Sequence, residues 1–350
     1  MPRSPLAPFL KKIYPDYQAV NADEIPLKYK SLEAEWKSVR QNWGILDLSH
    51  QKKILVQGKD RISFLHRMLT NDIQKLKPGE RCAACLLTPK GKIISDMTVY
   101  AEDSFHILEL GISDDQKIID HLSKYTLIDD VLLDLISDRW GLISFQGPES
   151  PRAIQPLDHR WHFFPNSRTG EQGYDLLFPV DQTQELWNAL QSFKPLHFVG
   201  REAQEVLRIE AGIPKFEAEL NQDIIPNEAN LENAVSFTKG CYPGQEIVAR
   251  IKYRGGIQKK LYGLEIMTNF LPQKNDPVQI KDHVIGFLTS VCFSPCLQKN
   301  IALGFLKASH IQENAVVEIH SQEHIISAVM RNLPFYSAKA HQTLAPERAS

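Results

Sequence analysis

Apolar residues three and four positions apart, at Leu32, Trp36 and Val39, mark the first helical face in this chain. Short apolar runs at 45–49 and 53–56 predict two strands. Asp60 then stands where it can cap a helix whose apolar face is Ile62, Leu65, Met68 and Leu69. The stretch Cys82 to Leu87 has the texture of a buried strand, and 93–101 and 105–110 read as strands joined by a tight turn at Glu102 and Asp103. Ile118, Ile119, Leu122 and Tyr125 form another helical face, and strands are expected at 142–145 and 174–178. Helices follow, marked by Leu186, Trp187 and Leu190 and then by Ala203, Val206, Leu207 and Glu210. Helices and strands interleave without a strict βαβ period, so α+β is the expected class. After Gly256 the pattern shifts to short runs at 261–266, 284–291, 301–305, 316–319 and 325–329, the spacing of a small β-barrel or sandwich. The expected division is an N-terminal surface arm over 1–30, an α+β region of two interleaved lobes over 31–255, a barrel over 256–335 and a flexible tail over 336–350.

Composition narrows the class. A net charge of -2 over 350 residues argues against a protein that binds nucleic acid electrostatically, and the basic stretch 252–260 reads as solvated surface. No apolar run approaches the length of a membrane span, and Asp16, Asp23 and Glu24 argue against an acid-poor transit peptide, so a cytoplasmic protein without membrane contact is expected. The five cysteines are Cys82, Cys85, Cys241, Cys292 and Cys296, an odd and small number that fits free thiols in a reducing compartment. Cys82 and Cys85 could pair with Cys292 and Cys296 as metal ligands. Residues three apart on a strand face opposite ways, however, so small core residues account for them better and no metal is expected. Neither an H-E-x-x-H motif nor a phosphate-cradling glycine loop is present.

The densest chemistry lies in Lys239-Gly240-Cys241-Tyr242-Pro243-Gly244-Gln245-Glu246. Gly240, Pro243 and Gly244 specify a sharp turn of low entropy, with Lys239 before the thiol and Arg250, Lys252 and Arg254 after it. Nearby cations raise the thiolate fraction of a cysteine, so the loop is a candidate for presenting a reactive sulfur. A packed structural cysteine in a Gly/Pro turn is the competing account.

The whole stretch, KGCYPGQEIVARIKYRG, resembles the signature of the YgfZ family, folate-binding relatives of the glycine-cleavage T-protein. The matching positions are Lys239, Gly240, Cys241, Tyr242, Gly244, Gln245, Glu246, Arg250, Tyr253 and Gly255. The likeness extends over about 40–330, with Gly44 to His50 and Phe64 to Ile73 similar to the family's opening segment and first helix. It implies a three-lobed T-protein-like fold with tetrahydrofolate in a central channel. Gly91 to Asp96 resembles the strand whose acid faces the pteridine, and a desolvated Asp96 would suit proton transfer. Arg168 to Asp175 resembles the segment whose final acid holds the pterin, although T-proteins usually carry Glu where this chain has Asp175 and Tyr where it has Arg168. Leu207 to Gly212 resembles the helix whose arginine, here Arg208, reaches the folate carboxylates. The residues alone also allow an exposed strand aspartate at 96, a turn residue at Glu171, and at 208 an arginine paired with Glu205 or Glu210.

The resemblance thus implies catalytic roles for Cys241 and Asp96, folate contacts from Asp96, Asp175 and Arg208, and a functional loop of Lys239, Gly240, Tyr242, Gly244, Gln245, Glu246 and Arg250. The expected function is a folate-binding protein that supports assembly or repair of iron–sulfur enzymes, including tRNA-modifying ones. Its expected partners are folate and iron–sulfur proteins or their assembly factors, and it is expected to be a monomer. Two alternatives stand beside it: an aminomethyltransferase, and a non-catalytic scaffold for iron–sulfur partners.

Overall fold

Two antiparallel sheets and a closed barrel carry the described residues, which in this computed structural model are 4–15, 18–19, 26–112, 114–157, 161–192 and 195–338. The five-stranded sheet runs in the order Arg81–Leu87, Ile93–Ala101, His106–Leu110, Lys52–Gln57, Leu132–Leu135. Phe64, Leu65 and Met68 of the helix Arg61–Met68 and Ile118 and Leu122 of the helix Asp115–Ser123 complete its core. The four-stranded sheet has the order Phe163–Pro165, Gly173–Pro179, Trp140–Gln146, Gly44–Asp47, and packs Phe145, Leu176 and Phe178 against Leu186, Trp187 and Leu190 of the helix Thr183–Leu190. A third cluster, with Val39, Leu46, Tyr100, Ile107, Leu142 and Phe164, fills the space between the two lobes.

The C-terminal part closes into a six-stranded barrel: Lys259–Ile266, Lys299–Lys307, His283–Ser294, Pro277–Ile280, Val316–Ser321 and His324–Arg331, the last pairing back to the first. Closure removes the exposed edges an open sheet would present. The architecture is therefore the α+β, three-lobed fold with a C-terminal barrel expected from the sequence. The helix Arg201–Glu210 is its pillar: Ala203 and Leu207 face the space between the lobes, while Val206 and Ile209 pack on Leu261, Ile301 and Leu303 of the barrel.

Several expectations change on contact with the structure. The amino-terminal segment is not a surface arm where it is described. Helix Ala7–Ile13, with Pro8 in its first turn where no amide partner is needed, buries Leu6 and Leu10 among Trp187, Leu190 and Phe198. Positions 1–3, 16–17 and 20–25 of that arm lie outside the described residues. Asp60 occupies the N-cap position, yet its carboxylate accepts the Asp130 amide at 2.9 Å instead of a helix amide, tying the helix start to the loop before Leu132. Tyr125 lies beyond the end of helix Asp115–Ser123 and is exposed. The strands Leu132–Leu135 and Pro277–Ile280 were not expected: each is only four residues long, too short for a period to show. Of the expected tail, Tyr336 is buried, and 339–350 lie outside the described residues.

Candidate functional site

Strand alternation puts Asp96, Thr98 and Tyr100 on one face of Ile93–Ala101, and the register sets Glu109 opposite Thr98. Two carboxylates and a phenol thereby share one polar layer between the sheets. Asp96 is half-buried, but its Oδ1 is closed off from solvent and has no hydrogen-bond partner. Gly111 makes room for it: a Cβ there would stand 1.9 Å from Asp96 Oδ1, so a larger residue would displace the carboxylate. Desolvation pushes the Asp96 carboxyl up to about 6, and the charge of Glu109 adds to the rise. At neutral pH the group is mostly ionised and still close enough to its pKa to exchange a proton.

The other end of the layer is fully bonded. Asp175, completely buried, accepts from Arg168 Nε at 2.9 Å, Arg168 Nη2 at 2.7 Å, Asn166 Nδ2 at 2.6 Å and the Tyr100 hydroxyl at 2.7 Å. Arg168 Nη2 also donates to Glu109 Oε2 at 2.7 Å, and the Tyr100 hydroxyl lies 2.7 Å from that oxygen too, so Asp175 and Glu109 share its one proton. Burial opposes ionisation of Asp175, and the Arg168 charge outweighs it, holding the carboxyl below its ordinary value. The two positions that depart from the T-protein pattern thus pair with each other. Sequence reasoning missed Tyr100, Glu109, Asn166 and Gly111; the available signal was the polar residues interrupting apolar strands at 96, 100 and 109. Behind Glu109, Lys53 is fully buried, donates to the Ser49 and Gln51 carbonyls at 3.0 and 2.7 Å, and is pushed down to about 8 by desolvation.

Arg208 lies elsewhere. Its five donors go to Glu205 through two contacts, Glu219 at 3.1 Å, the Ile213 carbonyl at 3.1 Å and the Ser290 hydroxyl at 2.6 Å. Ser290 is on the barrel strand His283–Ser294 and the other partners are on the helix or in the segment after it, so Arg208 fastens both to the barrel; none belongs to the Asp96 layer. Glu171 is more than a turn residue: it is buried, 3.3 Å from Arg40, and accepts the Tyr336 hydroxyl.

In the Cys241 loop, Lys239 and Tyr242 are buried on either side of an exposed thiol. The Lys239 ammonium donates to the His66, Leu69 and Asn71 carbonyls, where the helix Arg61–Met68 ends. Desolvation pushes it down to about 8. The charge expected to activate Cys241 is thus already committed to backbone oxygens. Tyr242 packs in the cluster of Cys85, Leu87, Ile93 and Val248. Gly244 sits at φ 83°, and a Cβ there would stand 2.7 Å from the Thr88 carbonyl and 2.8 Å from Gly91 Cα. After it the chain is helical, not a hairpin: Gln245–Arg254 contains neither Gly nor Pro and presents Glu246 and Arg250 to solvent. Among the described residues no helix is long and apolar enough to cross a membrane.

Comparison with known proteins agrees with this architecture. The family described as "GCVT N-terminal domain" matches residues 14–166 and 166–239, and the "Glycine cleavage T-protein C-terminal barrel domain" matches 259–337. An aminomethyltransferase of Caldanaerobacter subterraneus subsp. tengcongensis is 29% identical over 358 residues, covering 93% of this chain and 95% of that one. The aminomethyltransferase of Aquifex aeolicus is 32% identical over 331 residues, covering 90% of each. The crystal structure of the glycine cleavage system aminomethyltransferase T from Bartonella henselae superposes with a TM-score of 0.85 at 22% identity, covering 95% of this chain and 97% of that one. These findings overturn the iron–sulfur assembly or repair role. Relatives that span nine-tenths of the chain are aminomethyltransferases, which favours the transferase alternative and leaves iron–sulfur partners and tRNA modification without support.

Proposed function

This chain belongs to the glycine-cleavage T-protein family, and on that premise we propose that it transfers a one-carbon unit from an aminomethylated lipoyl carrier to tetrahydrofolate. The observation that carries the reading is the Asp96 carboxylate, desolvated and with an unbonded oxygen in the layer between the sheets. In this reaction the carbon leaves its sulfur and its amino group and ends bridging two folate nitrogens. The two protons those nitrogens lose end on the released thiol and on ammonia. Asp96 is the residue placed to take a proton from an attacking nitrogen and to face the positive charge that develops on the carbon. Oδ1 stands against Gly111, and the partly exposed remainder of the carboxyl is what a ligand can meet.

Asp175 is fully buried and its oxygens already accept from Arg168, Asn166 and Tyr100, which leaves it little capacity for a pterin. Glu109 bonds within the layer through Oε2, so its Oε1 is the carboxylate oxygen we assign to the pterin donors. Within the family, the Lys239–Gly255 stretch supports grouping the chain with YgfZ-like members, and its anchoring by Lys239 and Tyr242 supports a fixed, exposed Cys241. Five cysteines without disulfides support a reducing, cytoplasmic setting.

The test is ammonia release and methylene-tetrahydrofolate formation from an aminomethylated lipoyl carrier. The wild type should turn over only when folate is present, and Asp96→Asn should lose about 100-fold or more in rate, as expected for loss of a proton-transfer group. No ammonia release by the folded wild type with both substrates present would refute the proposal.

A further inference from the structure

A cavity of about 470 Å³ lies between the 88–92 turn and the helix Gln245–Arg254, away from the Asp96 layer. Ile247, Arg250, Ile251 and Arg254 line it at helical spacing from one side, and Lys90 and Lys92 from the other. Part of the basic stretch that reads as solvated surface therefore borders an open cleft.

Four cations face a single lining carboxylate, Glu228. That carboxylate is already engaged: it accepts the Ile225 amide at 3.1 Å and lies 4.0 Å from Lys92. Lys92 also donates to the Asp223 carbonyl at 2.8 Å. Lys90, Arg250 and Arg254 are exposed and have no ion-pair partner among the described residues. The floor, with Ile225, Ile247 and Ile251, is apolar. Unpaired cations around low-dielectric walls concentrate anions, and each guanidinium forms a planar fork for a phosphate or carboxylate. The volume falls in the range of small-molecule pockets.

The geometry points to a second ligand site here, for a small molecule bearing two or more closely spaced anionic groups, phosphates or carboxylates, next to an apolar segment. Lys90 on the turn and Arg250 and Arg254 on the helix line the same cavity, so a ligand with several anionic groups can engage more than one of them at once. No residue of this site belongs to the one-carbon reaction proposed above, so the inference stands or falls independently of it.

Calorimetric titration of the full chain with tripolyphosphate, and separately with γ-linked triglutamate, tests the site. Titrations at about 50 mM salt and again at higher salt expose the charge dependence. The wild type should bind at least one of the two, and Arg250→Gln, Arg254→Gln and Lys90→Gln should each weaken binding about fivefold, a loss of the size expected for one partly exposed charge contact. All three side chains are exposed, and thermal unfolding verifies that each variant is folded. Binding of tripolyphosphate alone supports a phosphate-chain ligand, binding of triglutamate alone a polycarboxylate, and binding of both a site that reads charge spacing only. Failure of the wild type to bind either, or wild-type affinity in all three variants, overturns the proposal.

Discussion

A carboxylate that keeps one oxygen unbonded beside another carboxylate raises the energy of its own charged state. Asp96 is in that position, with its pKa pushed from an ordinary carboxyl value up to about 6. The native state therefore binds this proton more tightly than the unfolded chain does. The contribution of Asp96 to stability is complete at acid pH and declines as pH rises from about 4 through 6. Asp96→Asn, which cannot ionise, should match the wild type in urea unfolding at low pH and exceed it by about 2 kcal/mol at pH 7.5. The same titration should give the wild-type rate an acidic limb near pH 6, measured as kcat/KM against pH, which reports the free protein. At Cys241 the outcome depends on access: brief iodoacetamide treatment of the native protein should label Cys241 and leave Cys85 and Cys292 unmodified, as read by peptide mass spectrometry. Burial raises both of those thiols and pushes Cys82 up to about 12, which suppresses their thiolates.

Among the elements, the helix Gln245–Arg254 does most to define the loop before it. Its start is set at Gly244, where the left-handed backbone lets the Thr88 and Gly91 main chain pass at close range. Gly244→Ala meets both a strained φ and a backbone clash, and should destabilise the protein by about 2 kcal/mol. Hydrogen exchange should rise selectively at 239–247 if the damage is local. The helix is hidden in the sequence because its first residues complete a turn motif, so the Gly/Pro punctuation dominates the reading.

At the level of the whole molecule, buried charge joins the lobes. Arg40 bonds Glu210 at 2.7 Å and the Thr169 carbonyl at 2.8 Å, lies 3.3 Å from Glu171, and stacks over the Tyr336 ring at 3.7 Å. Glu210 also accepts from Trp36 at 2.9 Å and Ser294 at 2.7 Å, so one cluster ties the 169–171 segment of the four-stranded lobe and the helix Leu32–Gln41 to the pillar helix and the barrel. Arg40→Met leaves two buried carboxylates without their cation and should cost about 3 kcal/mol in urea unfolding, much of which Glu210→Gln should restore in the double variant. Full restoration by the single change Arg40→Lys would show that charge alone, without the planar fork, holds the joint.

Periodicity by itself was enough for the α+β class, an all-β C-terminal region and the placement of most helices, because burial of one face imposes a spacing that any window of the chain displays; the choice of barrel over sandwich came with the family resemblance. The Cys241 loop and Asp96 were legible for a similar reason: glycines, a proline and an acid inside an apolar strand are local departures. Which groups meet was decided by the tertiary structure. Lys239 turned out to end a helix 170 residues earlier in the chain, Arg208 to fasten a helix to the barrel, and Arg168 to saturate Asp175. Leu6 and Leu10 entered a core although 1–30 reads as a surface arm. A charged side chain reaches several ångströms and seeks whatever buried partner the packing brings near, and that partner's identity is not written in its neighbours along the chain.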